Sequence, residues 1–272
     1  MKFVYSALVA GLLSLSTFAA SAAPLSFNIT IRDFRGASDS YHPDFRNTGI
    51  SGLKTGMVGA SLDANGKPVY VGAGGGGNNA GNVQSQATFA TWYRDCNAAT
   101  PGTTCIQQHT VTLTANVDAN DVLTFSDSTY FPLDTLTNSS IWDAGGNGHN
   151  FFFTSELALE LIYDPTKGNV FSFTGDDDVW VFINGQLVLD LGGIHPATGG
   201  SFDLDNLAAG LGISAYGAYN FQMFHAERHW TQSTLNIEST LGQPLNRVPE
   251  PQTLALMGLA LVCIAFARKR NA

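Results

Sequence analysis

Charge is scarce in this chain: only 13% of its 272 residues are Asp, Glu, Lys or Arg, and bases are the scarcer half, 13 against 22 acids. Phosphate recognition needs clustered Lys and Arg, so nucleic acid is not an expected partner. Cysteine is rarer still, with three residues, and no Cys or His spacing around Cys96 and Cys105 completes a zinc set. Helix signals are few. Asp205 to Leu211 has room for one turn, and Ser85 to Cys96 for a short helix bearing Phe89, Trp92 and Tyr93. No Gly-x-Ser-x-Gly elbow, His-Glu-x-x-His pair or phosphate loop occurs, which argues against an enzyme. The glycine-rich run Gly72 to Asn82 lacks the Lys-Ser/Thr ending of a phosphate cradle, and its glycines make ordering entropically costly, so a mobile surface loop is expected there.

The two ends carry address signals. Met1 to Ala22 has Lys2 near its start, an apolar run from Leu8 to Leu15 and small residues at Ala20-Ser-Ala22, the pattern of a secretory signal cleaved before Ala23. At the other end, Val248-Pro249-Glu250-Pro251 precedes an apolar run from Leu254 to Ala267 and then Arg268-Lys269-Arg270. That order of parts resembles a PEP-CTERM tail, the sorting signal that exosortase-type enzymes process in Gram-negative bacteria making exopolysaccharide. A plain membrane anchor is the alternative. The 14 residues from Leu254 to Ala267 fall short of the about 20 that a comfortable span needs, and the basic cluster would stay cytoplasmic, so transient insertion into the inner membrane fits better. The expected organisation is a signal peptide over 1–22, one domain over 23–247 and a sorting tail over 248–272, with export to the cell surface or extracellular matrix. An oxidising compartment makes a Cys96–Cys105 disulfide the natural pairing once Cys263 leaves with the tail.

The remaining domain is acidic and turn-rich. Removal of both ends takes four of the 13 bases and one of the 22 acids, leaving a net charge of −12, and 17 of the acids are Asp. Strand patterns dominate after residue 106: 109–116, 122–125, 151–163, 170–174, 201–207, 219–227 and 234–240, with clear period-two alternation in Glu156-Leu-Ala-Leu-Glu-Leu161. The firmest element is a hairpin, Val179 to Ile183 and Leu187 to Leu191 around Asn184-Gly185, because both turn residues tolerate positive φ. Asp176, Asp177 and Asp178 stand at its mouth. Adjacent carboxylates raise one another's pKa unless a cation or donors compensate, and calcium takes six to eight oxygen ligands of this kind. A solvated acidic turn is the plainer alternative. The hairpin register brings these residues toward His195.

Several blocks in order carry a family resemblance: His42-Pro-Asp-Phe45, Gly66-Lys-Pro-Val-Tyr70, Phe89-Ala-Thr-Trp-Tyr-Arg-Asp95, Gly148-His-Asn-Phe151, the run from Thr174 to His195, and Phe224-His-Ala-Glu-Arg-His-Trp-Thr-Gln-Ser233. From Phe27 to Thr240 the chain resembles the fibro-slime domain, which is similar to the protective-antigen-type lectin domains of flocculin-like adhesins. That resemblance implies an all-β sandwich of lectin-like architecture with long loops and little helix. It also implies two adjacent Asp residues, joined by a cis peptide, holding a calcium ion that contacts sugar. Asp176 and Asp177 match the pair, and Asp178 stands where those lectins carry Gly.

A second constellation is His225-Ala-Glu227-Arg228-His229-Trp230. On a strand His225, Glu227 and His229 would share a face, which suits either a structural or sugar-contacting role or a transition metal. Asp143 or Asp190 paired with Glu227 would be the acid and base of a hydrolase. Taken together, the reading is a secreted, calcium-dependent glycan-binding protein of an exopolysaccharide or biofilm matrix, with Asp176, Asp177 and Asp178 as metal ligands. His195, Glu227, Arg228, His229 and Trp230 are its ligand contacts, and a polysaccharide or cell-surface glycan is its partner. A structural matrix protein or a metal-dependent enzyme are the rivals, and exposure of Trp142, Trp180 or Trp230 beside the acids would favour the lectin. Mass spectrometry of the protein recovered from the cell surface should find it ending near Pro249-Glu-Pro251; recovery with Arg268 to Arg270 intact would contradict the sorting-tail reading.

Overall fold

The computed structural model describes residues 24–35, 42–45, 49–96, 105–136 and 148–242. The signal-like segment 1–22, the tail from Val248, and Trp142 and Asp143 lie outside them. Ten strands and two single-turn helices follow in the order β1 (Leu25–Asp33), α1 (Gln86–Phe89), β2 (Gln107–Val117), β3 (Leu123–Asp127), β4 (Phe153–Ile162), β5 (Val170–Asp176), β6 (Asp178–Ile183), β7 (Gln186–Leu191), β8 (Thr198–Asp203), α2 (Leu204–Leu207), β9 (Ala218–Glu227) and β10 (Thr234–Ser239). The all-β architecture agrees with expectation. The region expected to hold a helix up to Cys96 has only α1, capped by Ser85.

The strands pair in the order β7-β6-β9-β4-β1-β2-β3-β10-β5-β8, antiparallel throughout. The long β2 turns the corner: it pairs with β1 from Gln107 to Ala115 and with β3 at Asn116 and Val117. Two layers result, and the far edges come together where β8 crosses β7. The approach is close enough that a Cβ on Gly200 would lie 2.7 Å from Leu189 Cδ1, so a larger residue would push the leucine side chains of β7 aside. Between the layers, Ile31, Phe153, Leu157, Val179, Val181, Ile183 and Met223 meet Phe171, Phe173 and Leu235 in the main core.

The strand β6, Asp-Val-Trp-Val-Phe-Ile, is buried at all six positions. Its sequence lacks polar alternation because both faces are covered. Val179, Val181 and Ile183 point into the main core, while Trp180 and Phe182 join Phe224 and Ala226 in a second core built from Phe34, Phe45, Phe89, Trp92 and Tyr93. The described segments between residues 34 and 105 thus form a cap over the outer face of the sheet, and the Cys96–Cys105 disulfide links two of them. Cys105 is itself buried there.

Two features of the cap bear on the site. The Gly72-to-Asn82 run, expected to be mobile, is folded instead: Gly75 and Gly76 donate to Gln84 O and Val83 O at 2.8 and 3.0 Å, Tyr70 Oη donates to Ala80 O at 3.0 Å, and Ala80, Gly81 and Asn82 are buried. Burial against the second core and backbone pairing offset the entropy that glycine loses. Beneath the cap, the hairpin turn is as expected, with φ of 51° at Asn184 and 74° at Gly185, although a bulge between Val181 and Phe182 shifts the register by one on β7. Truncation of a side chain enclosed on this scale leaves a cavity, so Phe182→Ala should lower unfolding free energy by about 3–5 kcal/mol. In the same denaturant titrations Val170→Ala, at a position 41% exposed, should stay within about 0.5 kcal/mol of the parent.

Candidate functional site

The three consecutive acids are divided between the two faces of the sheet. Asp176 ends β5 and Asp178 begins β6, with a cis peptide between Asp176 and Asp177, the feature that the lectin resemblance implies. Asp178 turns outward, to the cap side. Its Oδ1 accepts from Gly193 N at 2.6 Å and its Oδ2 from Arg228 Nε at 2.7 Å and Nη2 at 2.6 Å. Gly193 has φ of 100°, and a Cβ there would stand 2.4 Å from Gly52 O, so the donor position belongs to glycine. Arg228, fully buried, also donates from Nη2 to Gly81 O at 3.0 Å and lies 4.7 Å from the centre of the Trp92 ring. Trp92 Nε1 donates to Asp44 Oδ2 at 3.0 Å. His42, held neutral because burial lowers its pKa to about 4, accepts from Asp44 N at 3.2 Å on Nδ1 and so donates from Nε2 to Thr91 Oγ1 at 2.8 Å.

The other acids face inward, at one pole of the sandwich. Asp177 accepts from His195 N at 3.2 Å and from Arg228 N at 2.9 Å, and Asp176 Oδ1 accepts from Thr234 N. Glu227 closes β9 beside them; its Oε1 accepts from His229 N at 3.1 Å, and its buried Oε2 has no partner. Burial, and next the neighbouring Asp178, raise the Asp177 carboxyl to about 8. Burial and the Asp177 charge raise Glu227 well above the usual range. His225 donates from Nε2 to Asp176 O at 2.9 Å, and burial lowers its pKa to about 4, leaving Nδ1 as a bare buried acceptor.

The residues singled out from sequence therefore take different places. Asp176, Asp177 and Glu227 come together; Asp178 and Arg228 are committed to one another on the opposite face, where no sugar reaches either. His195 is buried with both ring nitrogens against carbonyl oxygens, Pro196 O at 3.0 Å and Leu191 O at 3.2 Å, so its ring is structural and only its backbone N–H faces the acids. His225 and His229 do not share a face, since β9 ends at Glu227 and His229 Nδ1 turns to Thr231 Oγ1 at 3.1 Å. Asp190 sits on the cap side with Trp180 Nε1 and Gly56 N, across the sheet from Glu227, so the acid–base pair they were weighed for does not form. Trp180 is fully buried in the second core and is no stacking platform. Trp230 is half-buried with an unpartnered indole N–H. No group of three or more His, Cys, Asp or Glu side chains among the described residues is arranged to hold a metal ion by itself.

Sequence reasoning missed Asp33. It follows Phe27, Ile29 and Ile31 on the inward period of β1, which was the available signal, and it lies opposite Phe153, itself opposite Glu227. Asn150 Nδ2 donates to its Oδ1 at 2.7 Å, while Oδ2 is buried without a partner.

Residues 165–252 match the PA14 domain family, and residues 247–270 match the PEP-CTERM protein-sorting motif. The part of the chain similar to PA14 domains contains Asp176 through Glu227, and the sorting motif that follows indicates export to the cell envelope or surface in Gram-negative bacteria. Among curated proteins it is similar to two from Dictyostelium discoideum. Protein psiR is 34% identical over 220 residues, 78% of this chain and 21% of that protein; protein psiQ is 32% identical over 250 residues, 89% and 23% respectively. The chain spans less than a quarter of the length of either. A solved PA14 sugar-binding domain from an RTX adhesin aligns over 34% of this chain and 48% of its own at 16% identity, with a TM-score of 0.26, too partial to bear on the site. No helix among the described residues is long and apolar enough to cross a membrane.

Burial raises the Asp33 carboxyl from 3.8 to about 7, so folding favours its protonated form. Its contribution to stability is complete below about pH 4 and is lost as pH rises through about 7. Urea midpoints measured at both ends of that window should differ less in Asp33→Asn than in the parent; an unchanged difference would contradict the assignment.

Proposed function

We propose that this protein binds glycans in a calcium-dependent manner on the surface or in the exopolysaccharide matrix of the cell that exports it. One observation carries the reading: Asp177 and Glu227 are buried carboxylates, and the neighbouring Arg228 gives its side-chain hydrogen bonds to Asp178 and Gly81 O rather than to either of them. Uncompensated buried charge is strongly unfavourable, and a hard cation removes the conflict while giving the orphaned Glu227 Oε2 a partner. Asp176 and Asp177 would hold the ion, with backbone carbonyls and water completing the oxygen set. Bound calcium supplies coordination for vicinal sugar hydroxyls. At the same pole, the half-buried His229 and the partly exposed ring of Trp230 are the side chains with surface left to meet a saccharide, although the indole N–H itself is buried. No catalytic role is assigned. The sorting motif implies processing by an exosortase-type enzyme after the tail has entered the inner membrane transiently.

Calcium should raise the melting temperature and chelator lower it, since a ligand at 100 times its Kd stabilises by about 2.7 kcal/mol. The difference should shrink in Asp177→Asn. Binding to exopolysaccharide from a producing bacterium should weaken at least about tenfold in chelator, the multivalent total being sensitive to each site. Identical melting with calcium and with chelator would overturn the calcium assignment; a folded, calcium-loaded protein that binds no polysaccharide would leave a structural matrix role in its place.

A further inference from the structure

The cap holds a cleft that the acidic pole does not use. It measures about 320 Å³ and runs between the Asp63-to-Tyr70 loop and α1, lined by Asp63, Pro68, Tyr70, Gln86, Phe89 and Arg94 among others. That volume lies at the lower end of small-molecule sites, about 300–1,000 Å³. Its polar groups are placed by the fold. Asp63 Oδ1 accepts from Asn65 N at 2.8 Å and Lys67 N at 2.9 Å, its Oδ2 accepts from Arg94 Nη2, and both side chains keep part of their surface in solvent, 23% and 35%. Behind them Arg32 Nε donates to Arg94 O at 2.9 Å, and Arg32 and Lys67 both grip the buried Glu156, fixing both walls. Burial alone would raise the Asp63 carboxyl, but the Lys67 N–H, Arg94 and the Asn65 N–H outweigh it and hold it below the usual range. The Tyr70 hydroxyl is taken by Ala80 O and Gly74 N; Pro68 and Phe89 are buried behind the cleft, and the apolar lining with surface to offer is Val69, Ala87 and Ala90.

We infer that this cleft is a second saccharide subsite, independent of calcium, for one or two neutral sugar residues. A fixed acceptor beside a fixed donor matches a vicinal diol, with one hydroxyl donating to Asp63 and the next accepting from Arg94, while the C–H face of the ring lies against the exposed Ala87 and Ala90. The exposed Gln86 amide at the rim offers both donor and acceptor. Neutral sugars are favoured over acidic ones because Asp63 already compensates Arg94, so an incoming carboxylate would face an ionised acid. The inference rests on the glycan-binding reading and locates a further contact for it.

Calorimetric titration of the mature protein with lactose, cellobiose and digalacturonate, in calcium and in EDTA, tests it. A neutral disaccharide should bind with the same Kd in both media, and that Kd should rise about tenfold or more in Arg94→Ala, which removes a charge-assisted hydrogen bond. Ala87→Trp, which fills the cleft from an exposed position on α1 and leaves the ion pair intact, should do the same with melting unchanged. Disaccharide binding that vanishes in EDTA but survives both variants would overturn the cleft and leave the calcium-dependent reading standing. Preference for digalacturonate would overturn the neutral-sugar assignment, and no binding of any of the three by the folded, calcium-loaded protein would overturn the subsite.

Discussion

The ion pair between Asp178 and Arg228 is the contact on which the other parts depend. Both groups are withdrawn from water, and breaking such a pair costs about 3–5 kcal/mol because the survivor is left charged and buried. Arg228 sits at the end of β9, Asp178 at the start of β6, and the guanidinium reaches from the sheet to the Gly81 carbonyl and the Trp92 ring. One side chain therefore joins the sandwich, the glycine-rich segment and the aromatic cap. It also bears on the acidic pole, where Arg228 gives its side-chain hydrogen bonds to Asp178 and reaches Asp177 through its charge and its backbone N–H.

The cap changes what the sandwich can present. In a two-layer fold, the outer faces of β6 and β9 would meet solvent and would read as alternating polar and apolar residues. Here Trp180, Phe182, Phe224 and Ala226 occupy those positions, and rings from residues 34 to 93 cover them, with Phe34 stacked on Phe45 at 4.1 Å. A sugar platform on that face is thereby excluded. Ligand access is left to the pole of the sandwich and to the cap's own outer surface.

Much of this was legible in the residues, and the failures have physical causes. The hairpin could be read because Asn184-Gly185 is a local signal, and the late strands because their apolar pattern is long. The strand β1 went unread although Phe27, Ile29 and Ile31 alternate, since the run follows directly on the apolar and small residues before Pro24 and merges with them. Asp176 and Asp177 could be placed together from their adjacency. That Asp178 belongs to the other face could not, because it depends on which partner lies beyond each face, and Arg228 is 50 residues away in sequence. The Gly72-to-Asn82 segment misled for the opposite reason: composition reports entropy lost and says nothing of the buried surface that offsets it.

The strand β10 runs along the middle of its layer, and its direction has a geometric consequence. Thr234, at its start, donates to Asp176 at the acidic pole, while Ser239, at its end, lies opposite Phe171 and Leu123. Five residue steps separate these points, about 17 Å, and the chain continues from there through Leu241 and Gly242, the latter pressed against Ile162 at the far end of β4. The C-terminal segment thus departs from the antipode of the carboxylates. Anything that held the chain by residue 242 would therefore leave the acidic pole facing away from it.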